Sequence, residues 1–242
     1  MSATELRGEA QTVLGPVAPD SLGVTLPHEH LLTDVTCLFA EPEDPAEKTL
    51  AHQPVTIENL GWIRYHVPSN LDNLRLSDET TAVNEASVYR QAGGQTIVDA
   101  SNVGLKRNPL GLARIARATG LHIVMGSGYY VAASHPLDMD TKTEDDIAAE
   151  IVRDITVGVD GTSVRAGIIG EIGCSWPWPE NEQKVLRAAA VAQRQTGAPL
   201  MVHPGRHETA PFMIIDVLKK AGADLSHTVI CHVERTFFDL SL

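Results

Sequence analysis

Five residues of this 242-residue chain have the types and spacing to hold metal ions: His28, His30, Glu171, His203 and His232. His28 and His30 are two apart at the end of a largely apolar run, Leu22-Gly-Val-Thr-Leu-Pro27. Residues two apart on a β-strand face the same way, so both imidazoles project to one side. Neutral imidazoles converging on one point suit Zn²⁺ or a similar divalent ion. His203 and His232 are 29 residues apart (232 − 203), and Glu171 lies 32 before His203 (203 − 171), each about one strand-plus-helix unit. Four imidazoles and a carboxylate are enough for two ions with the carboxylate between them. Such a pair activates a water and polarises a substrate oxygen together. Taken singly, each residue has a plainer role. A histidine at a strand end usually hydrogen-bonds within the fold, and Glu171 serves equally as a helix cap or an ion-pair partner. Five such positions in register are the stronger signal.

The elements that must carry these residues alternate between helix and strand from about residue 80 onward. Residues 80–92 read as a helix closed by Gly93-Gly94, followed by a short apolar strand over 96–99. Asn108-Pro109 opens a helix that Gly120 stops, and 121–125 is the next strand. Thr143 and the three acids after it start another helix. A strand over 165–169 then delivers Glu171 at its end, and Pro179-Glu180 opens a helix over 180–196 that stops at Gly197. Strands over 199–203 and 228–232 flank a helix over 210–221. The strand runs are apolar throughout rather than alternating, which suits a parallel sheet covered on both faces. Repeated βα units of ~30 residues predict an α/β fold, either a (β/α) barrel or a doubly wound sheet. In a barrel, all five candidates fall on the rim at the C-terminal strand ends, where active sites are built. Segment 37–76, rich in Pro, Glu and Asn, breaks the rhythm and reads as an insertion after the first strand.

Composition narrows the function classes. The chain is 43% hydrophobic and 21% charged, with a formal net charge of −12. That balance argues against nucleic acid and anionic membrane surfaces as partners and leaves a small-molecule substrate, with a homodimer left open. No stretch approaches the ~20 apolar residues of a membrane span, and the first ten residues lack the apolar run of a signal peptide, so the expected location is cytoplasmic. Cys37, Cys174 and Cys231 make an odd count without CxxC spacing, so no disulfide framework is expected. Cys174 and Cys231 read as small buried residues rather than nucleophiles. No glycine cluster has GxGxxG or Walker A spacing. Tyr130, in the loop after the third strand, is a candidate substrate contact. Arg206, just past His203, is a candidate for an anionic group such as carboxylate, sulfonate or phosphate. Trp176-Pro-Trp178 either walls the pocket or packs its loop.

Several motifs together resemble the phosphotriesterase family of the amidohydrolase superfamily. Val13-Leu-Gly-Pro-Val and Leu22-Gly-Val-Thr-Leu-Pro-His-Glu-His-Leu-Leu resemble its opening. Gly167-Ile-Ile-Gly-Glu-Ile-Gly-Cys-Ser-Trp-Pro, Val202-His-Pro-Gly-Arg206 and Gly222-Ala-Asp-Leu-Ser226 followed by His232 resemble its phosphotriesterase-related branch. The resemblance implies a (β/α)8 barrel of TIM type with a centre of two divalent metal ions, Zn²⁺ being the expected identity. It implies that His28 and His30 bind the more buried ion and His203 and His232 the more exposed one. Glu171 stands where many members carry a carboxylated lysine. The implied reaction is hydrolysis of a small amide, with N-acetyltaurine the candidate, or of an ester, by a bridging hydroxide. Phosphotriester or lactone hydrolysis is one alternative, and an inactive barrel that binds metal or a partner is another. A metal-free isomerase or aldolase would need a Schiff-base lysine or a phosphate loop, and neither is evident. The family's sixth ligand, an aspartate ending the eighth strand, has no counterpart, so no catalytic residue is nominated. Asp239 lies past the sixth strand and does not replace it. The expectation is one metal-dependent hydrolase barrel domain over 1–242 with about six of eight βα units, as a fragment or as a chain that a partner completes.

Overall fold

A computed structural model describes residues 8–236; the first seven residues and the segment containing Asp239 lie outside the described residues. Six strands form one all-parallel sheet: β1 (Thr25–Glu29), β2 (Thr96–Asp99), β3 (His122–Ser127), β4 (Ile168–Gly173), β5 (Leu200–His203) and β6 (Thr228–Ile230). Their spatial order is the chain order, each pairing with the next. Helices α1 (Glu79–Gln91), α2 (Pro109–Thr119), α3 (Glu144–Thr156), α4 (Glu180–Thr196) and α5 (Ala210–Lys220) supply the crossovers. This is an α/β architecture of the (β/α)8 barrel type, with six consecutive strands described.

The caps read from the sequence operate here. Asn108 accepts from Gly111 N with Pro109 at the first helical position, and Thr143 and Asp146 form a reciprocal capping box. Gly120 and Gly197 end α2 and α4 in the left-handed conformation. The core lies between sheet and helices, with Leu112, Ile115, Ile123, Ile151, Ile169 and Leu186 almost wholly buried. The inner face carries a smaller cluster of Ala100, Val124, Ile168, Met201 and Cys231.

An N-terminal hairpin, Ala10–Thr12 with Gly15–Val17, packs under the sheet, Val13 N donating to Ile123 O at 2.8 Å. The insertion folds into short helices, Pro45–Ala51 and Leu60–Ile63, closed by a two-stranded pairing of Thr33–Asp34 with Arg75–Leu76. Among the described residues no helix is long and apolar enough to cross a membrane.

One boundary differs from the sequence reading. The fourth strand runs to Gly173, so Glu171 lies within it rather than past its end. The cause is a bulge: Ser127 of β3 pairs with both Ile169 and Gly170. Gly170 has φ +126°, and a Cβ there would stand 2.2 Å from Met201 O, so only glycine fits the step that aims Glu171 inward. The sheet is also strongly curled. Flat, its edge strands β1 and β6 would be separated by roughly 24 Å, five strand spacings. Instead the rings of His28 on β1 and His232 beyond β6 have centroids 4.8 Å apart.

Candidate metal centre

The curl gathers all five sequence candidates around one carboxylate. Glu171 is 2% exposed. His203 Nδ1 lies 2.7 Å from its Oε2, His28 Nε2 3.4 Å and His232 Nε2 3.8 Å from the same oxygen, and His30 Nε2 3.3 Å from Oε1. His28, Glu171 and His232 have ligand atoms all within 4.8 Å of one another. That trio pairs a histidine of the first strand with the one beyond the sixth; His203 meets the same oxygen, while His30 approaches the other.

Outer contacts orient the rings. His28 Nδ1 is 3.2 Å from Cys231 Sγ, and His30 Nδ1 is 3.0 Å from Ser101 Oγ. These contacts turn each Nε2 toward Glu171; with the proton on Nδ1, each Nε2 lone pair would face an ion held there, the orientation that a ligating histidine needs. The Glu171 backbone is equally fixed: its N–H donates to Ala100 O at 3.0 Å and its carbonyl accepts from Asn102 Nδ2 at 2.6 Å. Asp99, wholly buried, accepts from Leu31 N and Ser101 N and so ties the His30 loop to β2.

The electrostatics suit a cation. Among the described residues the ion-pair partners of Glu171 are imidazoles alone, with no lysine or arginine. Burial pushes the Glu171 carboxyl up, but hydrogen bonds from His203, His232, His28 and His30 outweigh it and hold the group well below the usual carboxylate range. The bond to Glu171 raises His28 despite its burial, whereas burial wins at His203 and lowers it. The donor set, one buried carboxylate offering two oxygens with four ring nitrogens around it, fits divalent ions of the zinc type.

A cleft of about 320 Å³ opens beside His203, walled by Tyr130, Val131, Trp176, Arg206 and Arg235. Tyr130 Oη is 3.4 Å from His203 Nε2, and burial followed by the charge of Glu171 raises its phenol, keeping it protonated as a donor. Arg206 opens into the cleft without an ion pair to any described residue. Trp176 walls it, stacked on His207 at 4.1 Å, while Trp178 packs against the core. Cys174 is buried and its thiol is pushed up by burial, as expected of a packing residue; Cys231 is buried too but also touches His28.

Sequence reasoning missed Arg235, whose Nη2 lies 3.3 Å from His203 Nε2. A signal was present: Arg206 follows His203 by three residues (206 − 203) and Arg235 follows His232 by three (235 − 232). Ser101 and Asn102 were also legible as a polar run ending a predicted strand.

Comparison with known proteins places this geometry. The sequence matches the Phosphotriesterase family over residues 8–241. It is 44% identical over 237 residues to N-acetyltaurine hydrolase of Homo sapiens, covering 98% of this chain and 68% of that protein. The Xenopus tropicalis N-acetyltaurine hydrolase is 44% identical over 238 residues with the same coverage. Among solved structures, a resiniferatoxin-binding protein from Rhodobacter sphaeroides superposes with TM-score 0.91 at 43% identity over 94% of this chain. The chain spans 64% of that protein's length. A phosphotriesterase homology protein from Escherichia coli, complexed with phosphate in its active site, superposes with TM-score 0.69 at 29% identity, covering 87% of this chain and 62% of that one.

Proposed function

Because the chain belongs to the phosphotriesterase family, we propose that it is a metal-dependent hydrolase of a small amide bearing an anionic group, with N-acetyltaurine the leading candidate. The observation that carries the reading is Glu171, buried among four imidazoles on the rim of the barrel. In this reading His28 and His30 would hold one divalent ion and His203 and His232 the other, with Glu171 available to both. When bound, such a pair supplies Lewis acidity and water activated at neutral pH.

The protein's own groups do the rest. Tyr130 stays protonated and donates a hydrogen bond to the substrate oxygen nearest His203. Arg206 and Arg235 are the two guanidiniums of the cleft and receive the sulfonate, which fixes the amide relative to the cluster. Trp176 and Val131 supply apolar wall and exclude water from that end. The relatives' name supports the amide, and Arg206, without an ion pair to any described residue, supports an anionic tail.

The test is taurine release from N-acetyltaurine, run beside a lactone and a phosphotriester, with metal content measured on the same samples. Native protein should carry about two ions per chain and prefer the amide. Glu171→Gln should lose metal and turnover together. Preference for the lactone or phosphotriester would reassign the substrate, and metal without any turnover would support a binding role. Retention of both ions by Glu171→Gln would refute the assigned ligand set.

A further inference from the structure

Glu182 is a carboxylate with 0% exposure and no ion-pair partner among the described residues, and the chemistry above does not use it. It is the third residue of α4, where a glutamate normally reaches back to the backbone N–H of the capping residue. Here the capping residue is Pro179, which has no N–H to offer. The side chain turns instead to the rim. Its Oε1 accepts from Ala132 N at 2.7 Å and from Ser175 Oγ at 2.8 Å, and its Oε2 accepts from Ser175 N at 2.6 Å. Three donors and the N-terminal end of a 17-residue helix compensate the buried charge.

Those donors belong to two different loops. Ala132 follows Tyr130 and Val131 in the loop after β3, and Ser175 precedes Trp176 in the loop after β4. The two loops already touch: a Cβ on Gly173 would stand 2.3 Å from Val131 N and 2.4 Å from Tyr130 C. Both carry cleft walls, Tyr130 and Val131 on one and Trp176 on the other.

We propose that Glu182 is a positioning residue that clamps these loops at a fixed separation and so sets where Tyr130 and Trp176 stand. It contacts no substrate. The role rests on the reading of the cleft as the substrate site, but the clamp itself is measurable without turnover.

Glu182→Gln is nearly isosteric yet places an amide N–H₂ against the Ser175 or Ala132 donors. Hydrogen exchange followed by mass spectrometry should show residues 128–135 and 174–178 exchanging about ten-fold faster or more, while β4 and the middle of α4 keep their protection. In N-acetyltaurine hydrolysis KM should rise about ten-fold with kcat changed less than about three-fold, and metal content should hold. Ser175→Ala, which removes one arm and leaves the carboxylate, should move exchange and KM in the same direction by less; it decides the matter if Glu182→Gln does not fold. Unchanged exchange in the two loops, protection lost evenly over the whole sheet, or an unchanged KM would overturn the proposal. Absence of native turnover would sink the substrate assignment instead, and the exchange data would still decide on the clamp.

Discussion

Replacing Arg107 by Met should be among the most destabilising single changes in the molecule. The Arg107 side chain is 3% exposed and reaches under α3, its Nη1 2.8 Å from Asp154 Oδ2 and its Nε and Nη2 3.1 and 3.0 Å from the two oxygens of Asp160. Asp154 is 7% exposed at its side chain and keeps only one other described partner, Ser127 Oγ at 2.9 Å. Asp160 is 48% exposed, so its arm is screened and contributes no more than about 1 kcal/mol. Removing the guanidinium strands the Asp154 charge, and breaking one side of a buried pair costs about 3–5 kcal/mol. Against a total of about 5–15 kcal/mol for a typical domain, that is a large share. Urea unfolding followed by circular dichroism at pH 7 measures it. Burial already raises the Asp154 carboxyl, with Arg107 pulling against it. Without Arg107 the folded carboxyl rises further above its unfolded value. The deficit is therefore full above that raised value and closes as pH falls through it, where the stranded carboxyl takes up a proton. Arg107→Met with Asp154→Asn should recover more than half of the loss. A single-variant cost below about 1 kcal/mol, or a double variant as poor as the sum of its parts, would refute the reasoning.

Three further outcomes follow from particular contacts. Cys231→Ala removes the partner of His28 Nδ1 and should weaken metal retention about 10- to 100-fold in chelator competition, with Cys231→Ser closer to native; equal affinities would show that the thiol orients nothing. Gly173→Ala drives a Cβ into the backbone of the neighbouring loop and should cost about 1–3 kcal/mol in thermal or chemical denaturation, whereas a neutral result would mean that the two loops separate freely. Asp224 accepts from the Ser226 hydroxyl first, then from His227 and the Ser226 amide, and these bonds hold its carboxyl down from 3.8 to about 2. A depressed acid stabilises the fold above its unfolded value and loses that contribution as pH falls through the folded one. The Tm difference between native protein and Asp224→Asn should shrink from pH 3.8 down to about 2, and a gap indifferent to pH would count against it.

What was legible in the sequence was local. Asn108-Pro109, Thr143 with Asp146, and Gly197 act within one helical turn, so their meaning does not depend on the rest of the chain. The apolar strands and their spacing carried the α/β class and the strand-end positions of the five candidates, and the family resemblance chose the barrel over a doubly wound sheet. What escaped depends on contacts across the sheet. The bulge at Gly170 takes glycine because Met201 O on β5 leaves no room for a side chain, and a strand ending at Ile169 is the reasonable reading without that neighbour. Glu182 escaped because its donors, Ala132 and Ser175, lie on loops outside α4 and are brought to it only by the fold.

The site itself shows why convergence was harder to read than the ligand types. His28 stands on one edge strand of a six-stranded sheet and His232 just past the other, and only its curl brings their rings to 4.8 Å. Curl arises from strand twist, bulges and the packing of α1 to α5 on the outer face, none of which is written at either histidine. Glu171, on an inner strand, is the fixed point: its backbone is held by Ala100 and Asn102 of the loop after β2, independently of its side chain. The carboxylate is therefore anchored by an inner strand, apart from the edges that meet around it. Four imidazoles drawn to one buried negative charge then favour the closed curl over a flatter sheet, so the groups that would hold the ions also help to shape the barrel that presents them.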